Sequence, residues 1–148
     1  MIQQSLTELF ERDLNKLKAE ITLYTDEGKI WVLKGEIKNS AGNLALHLLG
    51  NLNHFIGAIL GNSGYVRNRD AEFSDKNIPR SEIIDNIEKT IGVVKSTLSK
   101  ISDDDLKKDY PVKVLKDKVT MSTEFFLIHL FGHLNYHLGQ INYHRRLI

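Results

Sequence analysis

Four segments of this 148-residue chain carry apolar side chains at the three- and four-residue steps of an α-helix. The first includes Leu6 to Tyr24, the second runs from about Asn43 to Leu60, the third follows Pro79 and reaches Leu98, and the fourth runs from Ser122 to about Arg146. Polar side chains lie between the apolar ones, so each helix would have one face to bury. The pattern predicts an all-α protein, a four-helix bundle formed by residues 1–148 as a single domain.

Three long connections join the predicted helices. Residues 25–40 contain the only tryptophan and a short strand-like run, and residues 102–121 include YPVKVLKDKVT, whose alternation predicts a β-like excursion. Residues 61–78 are polar and could reach along a helix of about 30 Å. Such a crossover would let the second and third helices run parallel. The expected order is therefore up-down-down-up, with the second and fourth helices antiparallel.

Composition limits the class of function. The 20 Lys+Arg and 19 Asp+Glu residues leave a net charge of +1, which provides no strong field for nucleic acid. The chain has no cysteine, which excludes disulfides and thiolate metal ligands and suits a reducing compartment. The start of the sequence does not resemble a secretory signal, and no apolar run is long enough to span a membrane. We therefore expect a cytoplasmic protein that acts on a small molecule, without nucleic acid or membrane partners.

Four of the six histidines lie in the segment HLFGHLNYHLGQINYHRR, residues 129–146. They are His129, His133, His137 and His144, and their spacing places them within roughly 80° of one another around a helix. Imidazoles one helical turn apart can converge on one ion. Three neutral nitrogen ligands suit zinc, nickel, copper or iron and leave positions for water and substrate.

Spacing alone leaves the set of ligands open. In antiparallel helices His47 would lie near His133 and His137, but His54 and His129 could form a deeper layer. The same spacing also arises from ordinary histidines of a helical core. A metal site and a structural histidine face are both compatible with the pattern.

The pieces NSAGNLALHLLGNLNHFIG and HLNYHLGQINYHRR, in this order, resemble the DinB/YfiT-like superfamily of bacterial metalloenzymes. The resemblance covers nearly the whole chain and lies closest to an uncharacterised branch with the loop GYVRNRDAEF. It implies an up-down-down-up four-helix bundle, often dimeric, that binds a divalent metal, usually nickel or zinc. By position the metal ligands are His47, His133 and His137. Leu138 stands where many relatives have arginine.

The same resemblance implies metal-dependent thiol chemistry. Some relatives are S-transferases that join low-molecular-weight thiols to electrophiles, and one group isomerises maleylpyruvate with a thiol cofactor. An ion held by three histidines would stabilise a bound thiolate or a bound hydroxide. A metal-dependent hydrolase and a non-enzymatic bundle are therefore the alternatives. No general base is evident beside the ligands, although His54, His129 and Tyr136 are candidates to supply a proton.

Several further residues receive expected roles. Gln140 is expected to bond the backbone or to orient a ligand histidine, and His144 to cap the end of the fourth helix. In the expected order, the connection after the first helix and the end of the crossover lie near His47. The residues expected to border the open side of the metal and bind substrate are Trp31, Lys34, Arg67 and Arg69. Arginine would pair with a carboxylate of the substrate.

The expected homodimer depends on the resemblance, because the sequence shows no unmistakable second apolar stripe on a helix. Gly132 and Gly139 are expected to permit close packing of the fourth helix. Three asparagines in or next to the second helix, Asn43, Asn51 and Asn53, are unusual there and could hold loops or ligands.

Overall fold

The computed structural model describes residues 2–118 and 120–148, and this part of the chain is helical with no β-strand. The α-helices are α1 (Ile2–Thr22), α2 (Ala41–Leu52), α3 (Arg69–Ser74), α4 (Arg80–Leu98), α5 (Asp103–Lys107) and α6 (Thr123–Leu147). A 3₁₀-helix covers Glu27–Trp31, and a π-helix covers Asn53–Leu60 directly after α2. The predicted all-α class is confirmed. None of the described helices is both long and apolar enough to cross a membrane.

Side-chain caps determine where the helices that carry histidines begin. The Ser40 hydroxyl accepts a hydrogen bond from the Asn43 amide at 3.1 Å at the start of α2. The Ser122 hydroxyl does the same for the Phe125 amide at the start of α6. These bonds satisfy amides that have no partner within the helix.

Contacts of α1 establish the directions of two neighbours. Gln3 near the start of α1 donates to the Leu98 carbonyl at the end of α4, so these two helices run in opposite directions. Phe10 packs edge-on against Phe131, and further along Glu20 pairs with Arg145 at 2.6 Å. Helices α1 and α6 therefore run in the same direction.

Contacts of α2 complete the arrangement. His47 approaches His133, whereas Phe55, further along, meets Phe126, so the α2–π run is antiparallel to α6. Asn53 donates to Thr90, and Gly57 lies against Val93, so the run is parallel to α4. The core lies between these helices. Its largest fully buried side chains include Phe10, Leu14, Leu17, Leu48, Leu52, Ile56, Ile83, Ile87 and Phe126.

The prediction of strand-like structure in two connections was wrong. Within residues 25–40 the chain forms the 3₁₀-helix Glu27–Trp31, because the Asp26 carboxylate accepts the Gly28 amide and starts a helical turn. Residues 102–121 contain α5, which the Ser102 capping box starts. In their described part, the one β-type pairing is an isolated bridge from Asp109 to Ser122, just beyond the segment, and residue 119 lies outside the described residues.

His144, which was expected to cap the end of the fourth helix, instead belongs to a buried hydrogen-bond network. Tyr24 donates its hydroxyl to His144 Nδ1 at 2.5 Å, and His144 Nε2 donates to the Val32 carbonyl at 2.8 Å. The carbonyl can only accept, so the ring carries its proton on Nε2. Burial raises the pKa of Tyr24 well above its usual range. This histidine joins α1, the first connection and α6.

Replacing Tyr24 with phenylalanine should test this network. The variant removes the donor to His144 Nδ1 and leaves a buried acceptor unsatisfied, so we expect a loss of about 1–2 kcal/mol in the free energy of unfolding. Urea denaturation measures the loss. Tyr65→Phe is the matched control, because the Tyr65 hydroxyl makes no hydrogen bond among the described residues and its side chain is exposed. Equal stability of the two variants would contradict the assigned network.

Candidate metal centre

Three histidines meet where α2 crosses α6. One nitrogen from each of His47, His133 and His137 lies within 4.8 Å of the other two. His47 is buried and the other two are half-buried. His47 Nε2 and His133 Nε2 are 3.1 Å apart. A tetrahedral ion with Zn–N bonds of about 2.0–2.1 Å separates its nitrogen ligands by roughly 3.3 Å, so this pair is already near the spacing that metal binding requires.

Helix directions explain why this set of histidines comes together. His133 and His137 are one turn apart on α6, and antiparallel packing places them at the level of His47 on α2. The alternative layer does not form in the described structure. His129 stacks on Phe126, and the ring of His54 lies against its neighbour Phe55.

Hydrogen bonds at the outer ring nitrogens orient two of the three imidazoles. His47 Nδ1 donates to the carboxylate of Glu72 at 3.0 Å. His137 Nδ1 donates to the side-chain oxygen of Gln140 at 2.7 Å. In each ring the proton on Nδ1 leaves the lone pair of Nε2 directed to the centre of the cluster. Contacts of this kind typically fix the orientation of metal-bound histidines and raise their basicity.

Hydrogen bonds to its side chain and its backbone, together with close packing on Gly50, fix the position of Glu72 on α3. Arg67 forms two parallel hydrogen bonds to its carboxylate, both at 2.8 Å. Asn43 donates its side-chain amide to the backbone carbonyls of Glu72 and Asp75, which ties both ends of this short segment to α2. A Cβ atom at Gly50 would overlap the Glu72 carboxylate. The glycine is therefore required for the close approach of α3 to α2.

Sequence reasoning missed Glu72 and Gly50. Glu72 lies 25 residues from His47, on a six-residue helix with no apolar period of its own. Two features of the sequence could have pointed to this contact. One is the loop GYVRNRDAEF, which contains Arg67 and Glu72, and the other is the presence of Asn43 and Gly50 within the second helix. Asn43 does hold a loop, which is one of the two roles expected of it.

Burial disfavours the protonated form of two of the three histidines, His133 and His47. Burial, followed by the charges of His137 and His47, lowers the pKa of His133 to about 4. Burial also lowers the pKa of His47, although Glu72 opposes the shift. Protons therefore compete only weakly with a metal ion for the ring nitrogens of His133 and His47.

His133 faces His47 at a distance that a proton or a cation can bridge. Its Nε2 faces that of His47, and two lone pairs at 3.1 Å repel each other unless a proton or a cation lies between them. Its buried Nδ1 has no hydrogen-bond partner among the described residues. The histidines thus present an all-nitrogen donor set that fits zinc or nickel.

The predicted substrate-binding residues divide into two groups. Arg67 Nη2 lies 3.4 Å from His47 Nδ1, and Arg69 lies over the ring of Phe73, which in turn packs on His47. The other two residues have contacts away from the histidines. Trp31 is buried against Gly42, where a Cβ atom would lie 2.6 Å from its ring. Lys34 donates to the Leu147 carbonyl at 3.3 Å.

A family model described as "Protein of unknown function (DUF1572)" matches residues 3–148. The chain belongs to the DUF1572 family. No curated protein matches the chain. The matched region includes all three clustered histidines as well as Arg67 and Glu72. The function of this DUF1572 chain is therefore inferred mainly from the arrangement of the three histidines and their neighbours.

We predict that Gly50→Ala weakens metal binding without unfolding the protein. The added methyl group must displace the Glu72 carboxylate from His47, and loss of such an outer contact typically lowers metal affinity about 10- to 100-fold. Competition with a chromophoric chelator measures the affinity. Gly92→Ala is the matched control, because this glycine also lies within a helix and a Cβ atom there meets nothing within 4 Å. Unchanged affinity in Gly50→Ala would show that Glu72 does not support the centre.

Proposed function

We propose that this DUF1572 protein is a divalent-metal-dependent enzyme whose ion is held by His47, His133 and His137. The observation that carries the proposal is the convergence of three imidazoles, two of which have their Nε2 lone pairs directed inward by Glu72 and Gln140. Nitrogen ligands favour zinc or nickel as the metal. When bound, such an ion would stabilise a thiolate or a hydroxide on its open side.

The charges around the histidines favour an anionic ligand. The negative charge of Glu72 alone would reduce the positive potential of the site. Arg67 neutralises this charge, because the two side chains form a buried ion pair. The ligands themselves are neutral. A divalent ion would therefore keep most of its charge, and a thiolate would be attracted more strongly than a neutral alcohol or amine.

We further propose a thiol-dependent S-transferase that acts on small electrophiles. The support is the resemblance to DinB/YfiT-like proteins, together with the directions of α1, α2, α4 and α6, which agree with an up-down-down-up bundle of that kind. His129 and His54 are further imidazoles in the surroundings, since the charge of His129 lowers the pKa of His133, and Arg67 and Glu72 affect that of His54. They are the candidates to accept the thiol proton. Arg67 and Arg69 remain candidates to contact the substrate.

Alanine substitution of each ligand histidine tests the proposal directly. Protein purified without a polyhistidine tag should contain stoichiometric metal, and His47→Ala, His133→Ala and His137→Ala should each abolish it. Two remaining imidazoles form a poor chelate. Elemental analysis provides the measurement. His129→Ala is the matched control, because His129 lies one turn before His133 on α6 but outside the cluster.

Full metal content in the three ligand variants would refute the metal centre. For the metal-loaded protein, a panel of low-molecular-weight thiols with an electrophile should show transfer that disappears in His133→Ala. Turnover of ester or amide substrates without a thiol would instead favour the hydrolase. Stoichiometric metal without either activity would support a binding protein that is not an enzyme.

A homodimer through the outer face of α6 is part of the proposal. In contrast to the sequence-based expectation, α6 carries a second apolar stripe opposite its buried side. The stripe consists of Phe125, Ile128, Gly132, Tyr136, Gly139, Tyr143 and Leu147, spaced at three- and four-residue steps and exposed. A helix that is apolar on both sides usually has both sides covered. The two glycines would allow a second copy of α6 to approach closely.

Substituting lysine for Ile128 should dissociate this dimer. A lysine within an apolar helix contact leaves an unpaired buried cation, so light scattering should show a monomer where the unsubstituted protein is a dimer. Leu23→Lys is the matched control, because Leu23 is similarly exposed but lies beyond the end of α1. An unsubstituted protein that is monomeric at micromolar concentration would rule out the dimer.

A further inference from the structure

A large cavity lies apart from the metal centre. It has a volume of about 750 Å³, which is within the range of pockets that hold small molecules. The π-helix and α4 form its walls, and residues after α4 close one end. Ile59, which lines it, is about 18 Å from His47 along the same helical run. A molecule in this cavity would not touch the three histidines.

The π-helix and three glycines shape the walls of the cavity. A π-helix is rare and frequently marks a functional site. Gly57 and Gly61 bring it close to α4, since a Cβ atom at Gly57 would lie 2.9 Å from Val93 and one at Gly61 would overlap Thr97. Gly92 is different. It lies within α4, where glycine is destabilising relative to alanine, yet a Cβ atom there would meet nothing within 4 Å. Its missing side chain leaves the cavity open.

Apolar atoms form the larger part of the cavity surface, although many lining residues are polar, and its charges are unevenly distributed. At one end Lys89 has no ion-pair partner among the described residues. At the other end Lys100 and Lys108 are accompanied by Asp105 and Asp109, and Lys108 pairs with Asp105 at 2.7 Å. Lys89 lies within α4, whereas Lys100 lies two residues beyond its last residue, Leu98, so the two lysines are at opposite ends of the cavity. The cavity is therefore an apolar groove with one unbalanced cation at its Lys89 end.

We propose that this groove binds an amphipathic carboxylate of the fatty-acid type. The carboxylate would lie at Lys89, and the hydrocarbon chain would run past Val93, Ile59 and Leu60. Burial of the chain would supply most of the affinity, and the lysine would select an anionic head group over a neutral one. A carboxylate at the opposite end would meet the two aspartates.

Calorimetric titration of the purified, full-length protein with decanoate tests the proposal. Saturable binding is expected, and Lys89→Met should weaken it roughly fivefold, the effect of losing an exposed charge pair. Lys100→Met is the matched control and should bind decanoate as the unsubstituted protein does. Decanol should bind the unsubstituted protein and Lys89→Met equally. His133→Ala should bind decanoate normally, which separates this groove from a carboxylate on a metal ion.

A second pair of variants tests the location. Gly92→Leu fills the groove and should abolish saturable binding while keeping or raising the melting temperature, because leucine is a better helix former than glycine. Ser96→Leu, one turn further along α4, should also reduce binding. Absence of saturable decanoate binding would overturn the proposal. So would undiminished binding in Gly92→Leu, equal effects of the two lysine variants, or loss of binding in His133→Ala.

Discussion

The buried ion pair between Glu72 and Arg67 is the interaction on which the centre depends. The Glu72 side chain is only 6% exposed, and a carboxylate at that depth is unfavourable unless it is fully paired. Arg67 and His47 provide the partners, Asn43 fixes the backbone of the same segment, and Gly50 provides the space. Arg67 and Glu72 both come from the crossover, and the bonds of this segment to His47 and Asn43 fasten the long connection to α2. The fold of the crossover and the orientation of His47 therefore form one structural unit.

Periodicity predicted the four long helices because each buries apolar side chains at helical spacing, as in Leu6 to Ile21 of α1. It could not predict the change from α2 to the π-helix, since the apolar residues on either side of Asn53 continue the same run. Nor could it predict the 3₁₀-helix, which depends on one local bond from Asp26. Short elements of this kind are determined by individual side chains rather than by a repeated pattern.

The candidate ligands could be predicted as a set of possibilities, because His133 and His137 share one face of α6 by their spacing alone. Assigning His47 as the third member required the resemblance, and the structure brings it to the pair through antiparallel packing. Glu72 could not be predicted, because nothing local relates a carboxylate on a short helix to a histidine so far away in the chain. His144 lies on the same face of α6 as His133 and His137, but its surroundings are different. Tyr24 and Val32 satisfy both of its nitrogens, which explains why a histidine of that helix lies outside the cluster.

Energetic considerations favour a functional reading of this arrangement over a structural one. A buried ion pair seldom stabilises a fold more than apolar residues of the same volume would, so the pair of Glu72 and Arg67 is weak evidence for a stabilising role. The buried, unpartnered Nδ1 of His133 is likewise unfavourable in a structural core. A cation between the rings would replace the proton between His47 Nε2 and His133 Nε2, and its binding energy would then contribute to the stability of the folded state. The polar groups that are costly to bury are thus those that a metal centre requires, and they occur together where α2, α3 and α6 meet.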